Sequence, residues 1–168
     1  MADEINVLGL KEIQSTLNKL PARLGEKVVR AALRAGAQVI RKDAQARAPV
    51  LKKPKYGRKP GTVKKAITIR RSKRDKFGVY LTVKGLSAKQ IKAFKGGKAS
   101  KSAAYNPDDP WYWHFLEFGT ANMPAHPFLR PAFEAQKFAA LRKFEEYAKR
   151  RIVREAEKLA REQGSKAA

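Results

Sequence analysis

From residue 51 to residue 101 the chain carries 18 lysines and arginines and a single acidic residue, Asp75. A segment with that charge repels itself, and each buried cation would need its own counter-charge. Its cationic side chains must lie in solvent or against a polyanion or an acidic neighbour. The whole chain has 38 basic and 15 acidic residues, a net charge of +23 over 168 residues. Outside the central segment the balance is mild. Residues 102–133 hold one basic and three acidic side chains. At 18 to one, an anionic partner is a better reading than a merely solubilising surface. The partner-facing cations on this reading are Lys52, Lys53, Lys55, Arg58, Lys59, Lys64, Lys65, Arg70, Arg71, Lys73, Arg74 and Lys76. Lysine outnumbers arginine in the stretch, which suits sequence-independent charge neutralisation better than bidentate reading of bases.

The chain can supply a core. Apolar residues make up 43% of the chain, and its length fits one domain, residues 1–168. With no cysteine, disulfide frameworks, cysteine-ligated zinc and thiol catalysis are excluded. No apolar run reaches the length of a membrane span, and the start MADEINVLGL lacks the pattern of a signal peptide, so a protein made in the cytoplasm is expected.

Helical periodicity appears first. Leu10, Ile13, Leu17 and Leu20 predict a helix over 10–20, closed by Pro21. Leu24, Val28, Ala32, Ala35, Val39 and Ala46 form a stripe predicting a second helix over 22–48, ended by Pro49. That stripe is rich in alanine, so the helix can approach a neighbour closely. Residues 50–65 read as a basic loop. Alternation then predicts a hairpin over 66–84, with Ile67, Ile69, Val79, Leu81 and Val83 on one face. Residues 85–108, small and polar with Gly96-Gly97, read as a flexible excursion. Asp109 as N-cap and Pro110 as first residue predict an aromatic helix over 110–118, with Gly119 just past its end. Pro131 predicts the start of a long helix over 131–162, with Phe133, Leu141, Phe144, Ala148, Ile152, Ala156 and Leu159 as its stripe and a fraying GSKAA tail. The fold class is α+β: a small antiparallel sheet packed on helices, with a long C-terminal helix.

The stretch WYWHFLEFGTANMPAHPFLRPAFE, residues 111–134, gathers both tryptophans and both histidines of the chain. His114 and Glu117 are three apart on a helix and can share a face, as an acid–base pair of a nuclease would. Nothing nearby completes a metal site, and no G-x-S-x-G elbow or Walker spacing occurs. No catalytic residue, metal or cofactor is expected. Base stacking is disfavoured too, because single-strand platforms interleave rings with cations and here the two are segregated. Core packing and subunit contact explain the rings better.

The residues FLEFGT and MPAHPFLRPAFE resemble the C-terminal signature of a bacteriophage neck or tail-completion family, similar to the tenth gene product of HK-type phages and more distantly to the minor tail protein Z of lambda-like phages. AQARAPV at 44–50 and GTVKKAITI at 61–69 also look like that family, and the likeness runs over residues 5–155 with a Lys/Ser excursion inserted at 86–107. The resemblance implies a non-enzymatic virion protein of the head–tail connector, assembled in the host cytoplasm and placed at the neck between DNA-filled head and tail. It implies as partners copies of itself in a ring, such as a hexamer or dodecamer, together with other neck, connector and tail proteins. Packaged double-stranded DNA is a further expected partner, and a membrane is not. The assembly motif so implied is Trp113, His114, Glu117, Phe118, Gly119, Thr120, Pro127, Phe128, Leu129, Arg130 and Pro131. Arg130 is expected to pair with a carboxylate, on Glu117 or an adjacent subunit. Competing readings are a tail terminator ring subunit, a stand-alone non-specific nucleic-acid-binding protein, and a small nuclease or toxin using His114 and Glu117.

Overall fold

The computed structural model describes residues 13–15, 18, 22–51, 59–87 and 108–167. Within them lie helix α1 (Ala22–Arg47), the one-turn helix α2 (Thr62–Ala66), strands β1 (Ile67–Arg71) and β2 (Val79–Val83), the short helix α3 (Trp113–Phe118) and the long helix α4 (Leu129–Ala167). β1 and β2 form a two-stranded antiparallel sheet, so the class is α+β with a long C-terminal helix. Of the helix expected over 10–20, positions 13–15 and 18 are helical and the rest lies outside the described residues. Most of the excursion expected over 85–108 lies outside them as well.

The chain divides into two compact units. In the first, which takes in the start of α1, residues 71–79 and α4 from Phe138 onward, Ile13, Val28, Ala32, Ala148 and Ile152 form a buried cluster edged by Phe144 and Tyr147. Small residues allow backbones to meet there. A Cβ built on Gly36 would lie 2.7 Å from the Ala140 carbonyl oxygen, so glycine is the residue that permits this approach of α1 to α4. The sequence placed the stripes of both helices slightly off. Along α1 and just past its end the buried positions are Val28, Ala32, Gly36, Ala44 and Ala48, whereas Ala46 is exposed. On α4 they are Ala132, Ala140, Ala148 and Ile152, whereas Phe133 and Ala156 are exposed. Spacings of four mark the seams, and alanine and glycine occupy them.

The second unit has its own core: Ala44 and Ala48 at the end of α1, Val63 of α2, Ile67, Val83, Phe128 and Ala132 of α4, with Trp113, Leu116 and Leu129 packed against it. α2 stands where a loop was expected. Gly61 takes a left-handed conformation (φ 75°, ψ 13°), the Thr62 hydroxyl donates to the Lys59 carbonyl at 2.8 Å, and burial of Thr62 and Val63 holds the turn down. Register in the hairpin follows from two bonds: the Lys84 N–H donates to the Ala66 carbonyl at 2.9 Å and the Ser72 N–H to the Gly78 carbonyl at 2.7 Å. Ile67 therefore faces Val83 and Ile69 faces Leu81 on the more buried side, and Arg70 faces Tyr80 on the exposed side, as the alternation predicts.

Three further boundaries differ from the sequence reading. Helix α3 begins at Trp113, not Pro110. Its N-cap is Tyr112, without a side-chain bond, and Asp109 and Pro110 are buried ahead of it in the approach. Pro110 contributes its carbonyl, which accepts from the Trp113 N–H at 2.9 Å. α4 begins two residues before Pro131, because a carboxylate from α3 caps it. It also runs through Gly164 to Ala167 instead of fraying there, as no proline ends it.

Candidate assembly site

The first four N–H groups of an α-helix lack partners within it. At the head of α4 these belong to Phe128, Leu129, Arg130 and Pro131, and proline has none to satisfy. The other three all reach Glu117. Its Oε2 accepts from Phe128 at 2.9 Å and from Leu129 at 3.0 Å, and its Oε1 accepts from Arg130 at 3.1 Å. Glu117 is only 4% exposed. A buried carboxylate at this position is matched both by hydrogen bonds and by the positive end of the helix dipole. The sequence singled out Glu117, Arg130 and Pro131 and joined them differently. Arg130 meets the carboxylate through its backbone, whereas its guanidinium lies 4.8 Å from the centroid of the Phe118 ring.

The segment between α3 and α4 is folded back tightly. Thr120 and Met123 form an antiparallel bridge, with N–H to carbonyl distances of 2.9 and 3.2 Å. The His126 N–H donates to the Leu116 carbonyl at 2.7 Å. Gly119 ends α3 with φ 75° and ψ −179°, a region almost confined to glycine. A Cβ there would also stand 3.0 Å from both the Ala125 nitrogen and the Met123 oxygen. Phe128 is fully buried, Leu129 and Pro131 are half-buried, and Pro127 and Thr120 are exposed.

The rings in and around α3 split into two sets. Trp113 packs on the core and stacks on the exposed His114, with centroids 4.2 Å apart. The His114 Nδ1 lies 3.0 Å from the Trp111 carbonyl oxygen and donates to it. Trp111 and Phe115 meet edge to face at 5.7 Å, and both remain partly exposed. Phe118 is 57% exposed, and Phe133 is exposed near the start of α4. The His114–Glu117 pair therefore does not come together as an acid–base pair: the carboxylate is buried and occupied by backbone donors, and the imidazole faces outward. Among the described residues no group of three His, Cys, Asp or Glu could hold a metal ion.

The twelve basic residues singled out by sequence are scattered. Lys52, Lys53, Lys55 and Arg58 lie outside the described residues. Arg71, Lys73, Arg74 and Lys76 belong to the first unit. Lys76 forms an ion pair with Glu26, and the Lys76 ammonium's hydrogen bond, aided by Arg30 and Arg71, holds the Glu26 carboxyl below the usual carboxylate range. The hairpin loop is organised by Ser72, whose hydroxyl accepts from the Arg74 and Asp75 N–H groups at 3.2 and 3.1 Å. Lys59, Lys64, Lys65 and Arg70 belong to the second unit, all exposed, with Lys59 paired to Asp108 at 3.1 Å. Thus two of these cations, Lys59 and Lys76, are already engaged within the chain. Sequence reasoning passed over Arg41 and Lys84, which line a cleft with Lys59 and Lys65. No spacing signal could have joined positions so far apart along the chain.

Fold and site together define a small α+β protein whose short aromatic helix caps a long C-terminal one. A family model described as "Bacteriophage HK97-gp10, putative tail-component" matches residues 11–119, which is 109 of the chain's 168 residues. The chain belongs to this bacteriophage tail-component family. The match ends at Gly119, so it takes in Glu117 and Phe118 and stops short of the segment from Pro127 to Pro131. No curated protein and no solved structure matches significantly. Among the described residues no helix is long and apolar enough to cross a membrane.

Proposed function

We propose that the protein is a non-enzymatic structural subunit of the head–tail connector of a long-tailed phage, acting in neck or tail completion through ring-type contacts between its own copies and with other neck and tail proteins. Membership of a phage tail-component family supports the virion role. The observation that carries the finer reading is the capped junction at Glu117. It spends a buried carboxylate on fixing where α4 begins, while the neighbouring Phe115, Phe118, Phe133 and Arg130 side chains stay exposed. Exposed rings beside a guanidinium are the composition of interface anchors. The exposed cations Lys64, Arg70, Lys73 and Arg74, in no ion pair among the described residues, then face a polyanion, either packaged duplex or acidic surfaces of neighbouring ring proteins.

Arg130→Ala isolates this role. The cap uses the Arg130 backbone, so the variant keeps it and loses only the guanidinium over Phe118. The expected result is a soluble, folded protein that fails to complement virion assembly. Normal virion yield from this variant would refute the assignment. Salt-sensitive, tight binding of free monomer to duplex DNA together with that normal yield would instead establish a stand-alone nucleic-acid-binding protein.

A further inference from the structure

The second unit contains a cleft of about 390 Å³ whose walls carry Arg41, Lys59, Lys65 and Lys84, with Asp108 as the one carboxylate among its lining residues. We propose that this cleft is a docking site for carboxylate side chains of an acidic peptide segment presented by a partner protein. The inference deepens the polyanion part of the reading above and does not depend on the neck position.

Four observations carry it. The first is charge. Four cations and one carboxylate share a concave space, and such crowding of like charge is relieved by an anion from outside. The second is that the cleft stands on hydrogen-bonded backbone and one anchored guanidinium. The Arg41 Nε donates to the Ile67 carbonyl at 2.9 Å, which anchors the guanidinium on β1. Lys65 sits on α2, whose N–H–carbonyl bond to Gly61 measures 3.0 Å, and Lys84 is fixed at the end of β2 by its bond to Ala66. The third is that the chain already shows which chemistry the cleft accepts. The Asp108 carboxylate sits on Lys59 at 3.1 Å, a carboxylate side chain held at one end of the cleft while Lys65 and Lys84 remain exposed along it. The fourth concerns the source of the ligand. Residues 52–58 carry four cations and no acid, and residues 88–107 carry five lysines and no acid. The two segments that adjoin the cleft-lining residues in sequence therefore bring no carboxylate to it, which favours a ligand from a partner.

Shape favours peptide over duplex. A DNA duplex presents its phosphates on a broad convex ridge, which suits lysines on an open surface. A recess of this volume admits a protruding side chain or a short extended segment, and Thr68 with the strand edge offers polar groups to align one.

The test uses the full-length protein with fluorescently labelled hexaglutamate as the acidic-peptide probe, by anisotropy at about 150 mM salt. Two charge-matched variants are compared: Lys65→Glu with Lys84→Glu in the cleft, and Lys73→Glu with Arg74→Glu on the hairpin loop. All four side chains are exposed, so both variants should retain the wild-type far-UV circular dichroism. The cleft variant is expected to weaken peptide binding about tenfold or more, and the loop variant by less than about threefold. Short duplex DNA, run in parallel, is expected to lose affinity equally in the two variants. Equal loss of peptide binding in both variants, no binding of the peptide by the wild type, or a cleft variant that loses duplex more than peptide would each overturn the proposal. The neck assignment is judged separately by virion yield of Arg130→Ala, so the two can fail independently.

Discussion

Replacing Glu117 by glutamine changes one oxygen to an amide nitrogen and leaves the shape of the side chain almost untouched. Whichever way the amide turns, at least one of the three N–H donors of Phe128, Leu129 and Arg130 then faces another donor. The negative charge opposite the helix dipole is also gone. A hydrogen bond to a charged group contributes about 1.5–3 kcal/mol, and a charge in the first helical turn about 0.3–2 kcal/mol. Part of this is offset, because a buried carboxylate costs desolvation that an amide does not. The expected loss for Glu117→Gln is therefore about 2–3 kcal/mol. Glu117→Ala strands all three donors and should cost about 3–5 kcal/mol, limited by water reaching the half-buried Leu129 N–H. Urea unfolding followed by near-ultraviolet circular dichroism suits the measurement, since both tryptophans, Trp111 and Trp113, lie in the segment that carries Glu117. Hydrogen exchange adds a local readout: the Phe128, Leu129 and Arg130 amides should lose protection before the middle of α4 does. A Glu117→Gln protein within about 0.5 kcal/mol of wild type, with unchanged protection at those amides, would refute the capping argument.

Gly36→Ala forces a Cβ to 2.7 Å from the Ala140 carbonyl oxygen, so the two helix backbones must part. Despite the better helix propensity of alanine, the variant should be less stable by about 1–2 kcal/mol in thermal or urea unfolding. Gly119→Ala places a side chain on a backbone with φ 75° and ψ −179° and against two atoms 3.0 Å away; a loss of about 2–3 kcal/mol is expected by the same assays. The Lys76–Glu26 pair makes stability pH-dependent in a defined direction. Because the Glu26 carboxyl titrates lower in the folded protein than in the unfolded chain, its contribution is present above the ordinary carboxylate range and is lost as pH falls through the lowered value. Glu26→Gln should flatten the acid limb of the urea midpoint between about pH 7 and pH 3, and an unchanged limb would contradict the pairing.

Local chemistry in the sequence located most of the elements. Alternation at Ile67, Ile69, Leu81 and Val83 placed the hairpin and chose its inner face, because the two-residue period leaves one solution. The helix seams were read less well, and for one reason. Large apolar side chains dominate the periodicity, so Phe133 draws the α4 stripe one position off and Gly36 does not enter the α1 stripe. Where backbones approach as closely as Gly36 and Ala140 do, the smallest residues mark the seam. At the assembly site Glu117, Gly119, Arg130 and Pro131 were all visible as unusual residues, but their bonding was not. A carboxylate eleven residues before its first donor can face many partners, and only the fold brought it to the Phe128, Leu129 and Arg130 amides. The cleft was hidden for a related reason: Arg41, Lys65 and Lys84 meet only through tertiary folding, and in composition they are three cations among 38.

The Glu117 junction also bears on how the chain acquires its shape. Starting a helix is the slow, unfavourable step, whereas lengthening it is fast. Between Glu117 and Phe128 the chain needs to close only a short loop, an event that takes about 10–100 ns for some ten residues. Once it closes, three amides are already aligned and a proline has pre-set the next backbone angle. The 39 residues of α4 can then wind outward from that end in the order in which they are synthesised.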